Sequence, residues 1–176
     1  MGVEDRIDKV KKEMGLIERI ISYIPGYRGY KEKEVRRESD RLVRMEAVSM
    51  LREAKDILRR SLSNPNIAAR IPSGSLWRID ILSSRLDRVT QRIDRAVAGY
   101  AGVFDAVKVR EDKLESLIEY DLGLIEKAES IRSSIRSLAP LDPGSDDYGR
   151  MVDELISRID ELDSLIDRRI DILRRL

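Results

Sequence analysis

Apolar side chains recur at alternating intervals of three and four residues through most of this chain, and no other feature of the sequence constrains the fold as strongly. The first such series is Ile7, Val10, Met14, Ile17, Ile21 and Ile24. Residues at these intervals lie along one side of an α-helix, where they pack against another helix. The sequence therefore predicts an all-α fold, an elongated antiparallel helical bundle or coiled coil, as a single domain over residues 1–176.

Clusters of Pro, Gly, Asn and Ser divide this pattern into about five helices, because these residues interrupt or end helices. The predicted helices cover approximately residues 4–23, 31–62, 75–98, 109–138 and 148–176. In the third helix, an Arg-apolar-Asp triplet recurs every seven residues, beginning at Arg78, Arg85 and Arg92. The connections are short relative to the helices, so sequential helices are expected to run antiparallel.

Two of the predicted connections carry aromatic residues between glycines. The residues singled out as a candidate binding surface are Tyr27, Arg28, Tyr30, Lys31, Tyr100, Phe104, Asp105 and Lys108. If sequential helices alternate in direction, both connections lie at the same end of the bundle. Two interpretations remain open: the rings fill the end of the bundle while the glycines allow tight turns, or exposed rings and cations bind a partner.

Ionisable residues interrupt two of the apolar series. Asp121 stands between Leu117 and Leu124, and the series of the second helix, continued backwards from Val43, reaches Asp40 and then Arg36. A buried charge persists only when it is paired and hydrogen-bonded. We therefore predict a buried polar layer of Arg36, Arg37, Asp40 and Asp121 that fixes helix register, with Asp121 meeting Arg36, Arg37 or Arg41.

Other interpretations of these acids remain open. A carboxylate site for a hard cation is one alternative for Asp121, and exposure at the edge of the bundle is another. The acids of the last helix alternate with arginines and are predicted to form a solvated face. They are Asp153, Asp160, Asp163, Asp167 and Asp171.

Composition narrows the possible functions. The chain has no Cys and no His, which excludes disulfides, thiolate nucleophiles and Cys/His zinc sites and removes the commonest general base. Gly-rich phosphate loops and nucleophile elbows are also absent from the sequence. We therefore predict a protein that is not an enzyme and has no cofactor or metal, a scaffold whose aromatic and basic bundle end meets a protein partner or a second copy.

A nucleic-acid-associated protein is the alternative prediction. Residues 31–62 hold ten cations and seven anions, and the candidate contacts are Arg28, Lys31, Lys33, Arg36 and Arg37. The acids are interleaved with the cations, whereas a nucleic-acid interface presents a basic face. The net charge of +1 gives no overall attraction to polyanions.

Two segments resemble a prokaryotic all-helical family to which no activity is assigned. The first runs Pro25-Gly26-Tyr27-x-Gly29-Tyr30-Lys31-Glu32-Lys33-Glu34-x-Arg36-Arg37-x-x-Asp40. The second runs Gly99-Tyr100-x-Gly102-x-Phe104-Asp105-Ala106-Val107-Lys108 and leads to Tyr120-Asp121. The resemblance implies a shared helical fold and shared special positions, but no reaction.

The sequence also predicts where the protein resides. Neither an apolar targeting core near the N-terminus nor an uninterrupted apolar stretch of membrane-spanning length occurs. We therefore expect a cytoplasmic protein. Dense charge with only Gln91, Asn64 and Asn66 as side-chain amides is typical of a heat-adapted source.

Overall fold

A computed structural model describes residues 3–29, 33–96 and 111–174. The helices are α1 (Val3–Tyr23), α2 (Lys33–Leu62), α3 (Pro65–Ala68), α4 (Leu76–Arg95), α5 (Glu111–Leu138) and α6 (Asp146–Arg174). The five long helices confirm the all-α prediction, and no strand occurs in these three ranges. The single turn α3 and a 3-10 turn at Ser73–Ser75 were not predicted. None of the described helices is long and apolar enough to cross a membrane.

Four of the long helices close into a ring. α2 packs against α4 and α5, and α6 packs against the same two helices, while α1 attaches to α5 from outside. The predicted apolar series of α2 lines this core, where Val43, Ala47, Met50 and Ala54 are buried. The centres of the α4 triplets are buried in the same way, and they are Ile79, Leu86 and Ile93.

Helices that are joined by short connections run antiparallel within the ring. Arg52 pairs with Asp94 and Lys55 with Asp87. Residue numbers rise along α2 as they fall along α4, so these two helices are antiparallel. α5 and α6 are antiparallel in the same way. The ring order α2, α4, α6, α5 places α4 and α5 across a diagonal. Ion pairs show that the two remaining neighbouring pairs, α4 with α6 and α2 with α5, run parallel.

An ion-pair ladder joins the parallel helices α4 and α6. Its rungs are Arg78–Asp153, Arg85–Asp160, Arg88–Asp163, Arg92–Asp163 and Arg92–Asp167. These four aspartates belong to the predicted solvated face, and Asp153 and Asp167 are exposed, but all four also pair with α4, which presents arginines at matching seven-residue intervals. Pairs that remain partly exposed stabilise only weakly, by about 0–1 kcal/mol each. Their repetition favours this one register of α4 against α6.

The direction of α1 contradicts the expected alternation. Lys12 pairs with Glu115 and Glu119, and Arg19 pairs with Glu126 further along α5, so α1 runs parallel to α5. α2 is also parallel to α5, because Asp40 lies beside Asp121 and Glu53 beside Arg132. α1 and α2 therefore point the same way. Residues 24–29 run back along the bundle, since the Tyr27 hydroxyl reaches Asp121 and Gly29 lies against Ile17 of α1.

Tyr148 lies buried near the start of α6 and gives a prediction for alkaline pH. Burial raises the pKa of its phenol above the ordinary value of 10.0. Because the folded-state pKa is the higher one, stability from the neutral phenol is complete below about pH 10 and is lost as pH rises through the raised pKa. We expect the urea midpoint of the wild type to fall more steeply above about pH 10 than that of Tyr148→Phe.

The control for this experiment is Tyr23→Phe, which alters a half-buried tyrosine on α1. Equal slopes for the wild type and Tyr148→Phe over the alkaline range would show that Tyr148 is solvated in the folded protein.

Candidate functional site

Five polar residues from four segments meet inside the bundle, and we call them the polar cluster. They are Tyr27 from the connection after α1, Asp40 and Arg44 from α2, Asp121 from α5 and Arg169 from α6. Each is at least nine-tenths buried, and Asp121 is completely so. The cluster lies just beyond the last rung of the ladder between α4 and α6.

Arg169 joins the two carboxylates of the polar cluster. Its Nη2 donates to Asp40 Oδ1 at 2.5 Å and to Asp121 Oδ1 at 2.9 Å, and its Nε donates to Asp121 Oδ1 at 3.1 Å. Arg44 donates from Nε to Asp40 Oδ2 at 2.8 Å. The Tyr27 hydroxyl donates to Asp121 Oδ2 at 3.1 Å. Among the described residues, two guanidinium groups therefore pair with two carboxylates, and one phenol donates to the second carboxylate.

The structure brings together only part of the predicted polar layer. Asp40 and Asp121 lie side by side in the core, but Arg169 bridges them, and the prediction did not include it. Arg41 is not the partner of Asp121, because it is exposed on the same helix turn as Glu38 and pairs with that residue. Arg37 is exposed. The side chain of Arg36 lies outside the described residues.

The sequence contains a signal that could have identified Arg169. The apolar series of the last helix runs through Leu162 and Ile166 and resumes at Leu173. The omitted position between the last two is 169, so this arginine occupies an inward-facing place in a heptad. A cation at a core position of one helix and a carboxylate at a core position of its neighbour are expected to pair, because neither persists alone when buried.

Tyr27 is not an exposed binding residue. Only 2% of its surface is accessible, so the interpretation as a surface ring was wrong for this residue. Glycines with positive φ stand on both sides of it, Gly26 at +96° and Gly29 at +73°, and Ser39 Oγ donates to the Gly29 carbonyl at 2.7 Å, which ties this connection to α2. Arg28, between them, is exposed.

The remaining predicted binding residues lie outside the described residues. They are Tyr30, Lys31, Tyr100, Phe104, Asp105 and Lys108. The predicted contact between the two aromatic connections falls there as well.

The chemistry available to the polar cluster is that of a paired, enclosed charge network. Both carboxylates accept hydrogen bonds from arginine, and within the described part of the chain no group of three or more Asp, Glu, His or Cys side chains is placed to hold a metal ion. Such a network contributes to register and specificity more than to net stability. We therefore interpret the polar cluster as a structural device.

A second feature is an apolar surface on α1, which we call the outer stripe and define as Ile7, Val10, Met14 and Ile21. Their exposed fractions are 48%, 47%, 55% and 42%. The prediction that this series packs inside the bundle was wrong for these four residues. Ile20, which directly precedes Ile21, is fully buried and anchors α1 to the bundle instead.

The contacts of α1 explain this reversal. The first half of the helix turns polar residues towards α5, where Lys9 and Lys12 pair with Glu115. A hydrogen bond to Glu119, with a smaller contribution from one to Glu115, raises the pKa of Lys12, so this lysine remains charged at neutral pH. Ion pairs thus occupy the side towards the bundle, and the apolar residues are left facing solvent.

Comparison of the chain with protein-family models, with curated proteins and with solved structures gives no match. The two features are therefore interpreted from their own geometry.

Proposed function

We propose that this protein is a non-enzymatic protein-interaction scaffold whose docking surface is the outer stripe of α1. One observation supports the proposal above all others: four large apolar residues at heptad spacing are each 42–55% exposed on one helix. Scattered surface hydrophobes are ordinary, but a contiguous apolar surface is typical of an interaction site. A helix that carries its apolar residues at these intervals suits a helical partner.

The bundle supplies a rigid support for this surface. Ile20 of α1 and Ile24, which follows the helix, are buried in the core, and ion pairs to α5 hold both halves of α1. A docking helix that is already folded and fixed loses little conformational entropy on binding. The proposal therefore keeps a scaffold role and moves the expected contact from Tyr27 to α1.

The exposed Arg28 remains part of a proposed second contact surface. The alternative of nucleic-acid binding receives no support from the described part of α2, where Arg41, Arg52 and Lys55 pair with acids. Paired cations attract phosphate less strongly than a face of uncompensated charge.

Photo-crosslinking tests the proposal. We expect a benzoylphenylalanine placed at Met14 to give a discrete adduct with a polypeptide in cells that natively make the protein. Met45 on α2 is the matched control, because it is the same residue type with the same 55% exposure. A probe at Met45 should give no such adduct. Equal labelling from both positions, or none from Met14, would contradict a docking role for α1.

A further inference from the structure

We infer that the outer stripe of α1 binds the outer stripe of a second copy of this chain, with the two α1 helices antiparallel. The inference rests on the proposed function and names the partner. It would make the scaffold a symmetric dimer whose two bundles flank a central pair of helices.

The position of the outer stripe leaves room for a second bundle. At 100° per residue, the centre of the stripe lies about a quarter to a third of a turn from the face that packs on α5. Lys12 and Arg19, whose ion pairs reach α5, lie on the opposite flank. A helix approaching the stripe therefore meets α1 from the side and does not compete with α5.

The heptad defines a register for two antiparallel helices. Ile7, Met14 and Ile21 occupy one core position of the repeat, and Val10 and Ile17 occupy the other. Antiparallel pairs place unlike core positions opposite each other. Val10 then packs on Ile21 of the second copy, and Met14 packs on the part of Ile17 that the core of the second copy leaves uncovered. Because the arrangement has twofold symmetry, each contact occurs twice and the same surface serves both chains.

Charge complementarity selects the antiparallel arrangement. In the register set by the apolar layers, Lys11 of one chain lies beside Glu18 of the other, again twice by symmetry. Both residues are exposed on the solvent-facing shoulder of the stripe. If the two α1 helices instead ran parallel with the same apolar positions in contact, Glu13 of one chain would lie beside Glu18 of the other. Like charges at these flanking positions disfavour pairing.

The size of this surface indicates a reversible dimer. Stable interfaces bury about 800 Å² on each partner, and a stripe of four exposed residues on one helix offers less than that. The dimer should therefore dissociate on dilution.

Sedimentation of the full chain over a hundredfold range of concentration tests the inference. We expect the wild type to shift from monomer towards dimer and Met14→Glu to stay monomeric, while Met45→Glu associates like the wild type. Lys11→Glu should weaken association by about tenfold, because it brings two like-charged pairs together. Lys11→Glu/Glu18→Lys should restore it, because the exchange recreates both opposite-charge pairs. A circular-dichroism spectrum of each variant verifies that it is folded.

Two outcomes would overturn the inference. One is a wild type that is monomeric at every concentration, and the other is a double charge exchange that fails to restore association. Crosslinking distinguishes this failure from a failure of the scaffold proposal. An adduct of twice the chain mass from Met14 supports the second copy as partner. An adduct of another mass, with a monomeric wild type, overturns this inference and leaves the scaffold proposal standing.

Discussion

Arg169→Met is expected to lower the free energy of unfolding by about 3–5 kcal/mol, because removing one partner of a buried ion network leaves uncompensated charge. Arg169 donates to both Asp40 and Asp121 and is only 3% exposed. Without it, Arg44 alone remains among the guanidinium groups of the polar cluster to balance two carboxylates. Methionine keeps much of the side-chain volume, so most of the loss comes from charge. Urea unfolding followed by circular dichroism measures the change.

Arg168→Met is the matched control for this prediction. Arg168 is the preceding residue of α6 and is exposed, so its replacement should change the free energy of unfolding by less than about 0.5 kcal/mol. Equal effects of the two substitutions would mean that water reaches the polar cluster in the folded protein. Its role in fixing helix register would then have to be abandoned.

The burial of charged residues could be predicted from the sequence. The identity of their partners could not. Asp121 stands in an apolar series, so its burial follows from the helical period alone. Its partner comes from 48 residues further along the chain. Pairing depends on which helices are neighbours in the ring and on their vertical register, and neither quantity is contained in the periodicity of a single helix. The missing apolar residue at position 169 identifies Arg169 as a candidate partner only after α5 and α6 are known to be neighbours.

The ring itself was the more predictable part of the fold. The apolar series of α2 and α4 are long and regular, and their inward faces include Val43, Met50, Ile79 and Leu86. The ladder between α4 and α6 escaped prediction for the same reason as the polar cluster. Its arginines and aspartates have matching intervals on two helices, and alternation of sequential helices makes those helices parallel, but the pairing also requires them to be neighbours, which the sequence does not show.

The prediction was wrong for α1 because a heptad indicates an apolar face without indicating what covers it. The series from Ile7 to Ile24 would pack equally well inside a bundle or against another molecule. The acids of α5 decide between these possibilities, since Glu115 and Glu119 attract the lysines of α1 to the side facing the bundle. The sequence left Tyr27 either buried or exposed, because it does not show that residues 24–29 run back along α5.

Two adjacent isoleucines of α1 should respond very differently to truncation. Ile20 is fully buried, and Ile21 is 42% exposed. We expect Ile20→Ala to reduce stability by about 2–5 kcal/mol, the usual cost of removing a large buried side chain and leaving a cavity. Ile21→Ala should cost less than about 1 kcal/mol, because it removes surface that water already reaches.

Measurements at low protein concentration, where we expect the chain to be monomeric, separate these effects from association. Urea unfolding gives the global stability, and hydrogen exchange of the α1 amides detects local detachment of this helix from α5. The same Ile21→Ala variant should associate more weakly at high concentration. If Ile21→Ala instead proves as destabilising as Ile20→Ala in the monomer, the outer stripe must be packed against the chain's own bundle. The surface from which both the scaffold and the dimer are inferred would then not exist.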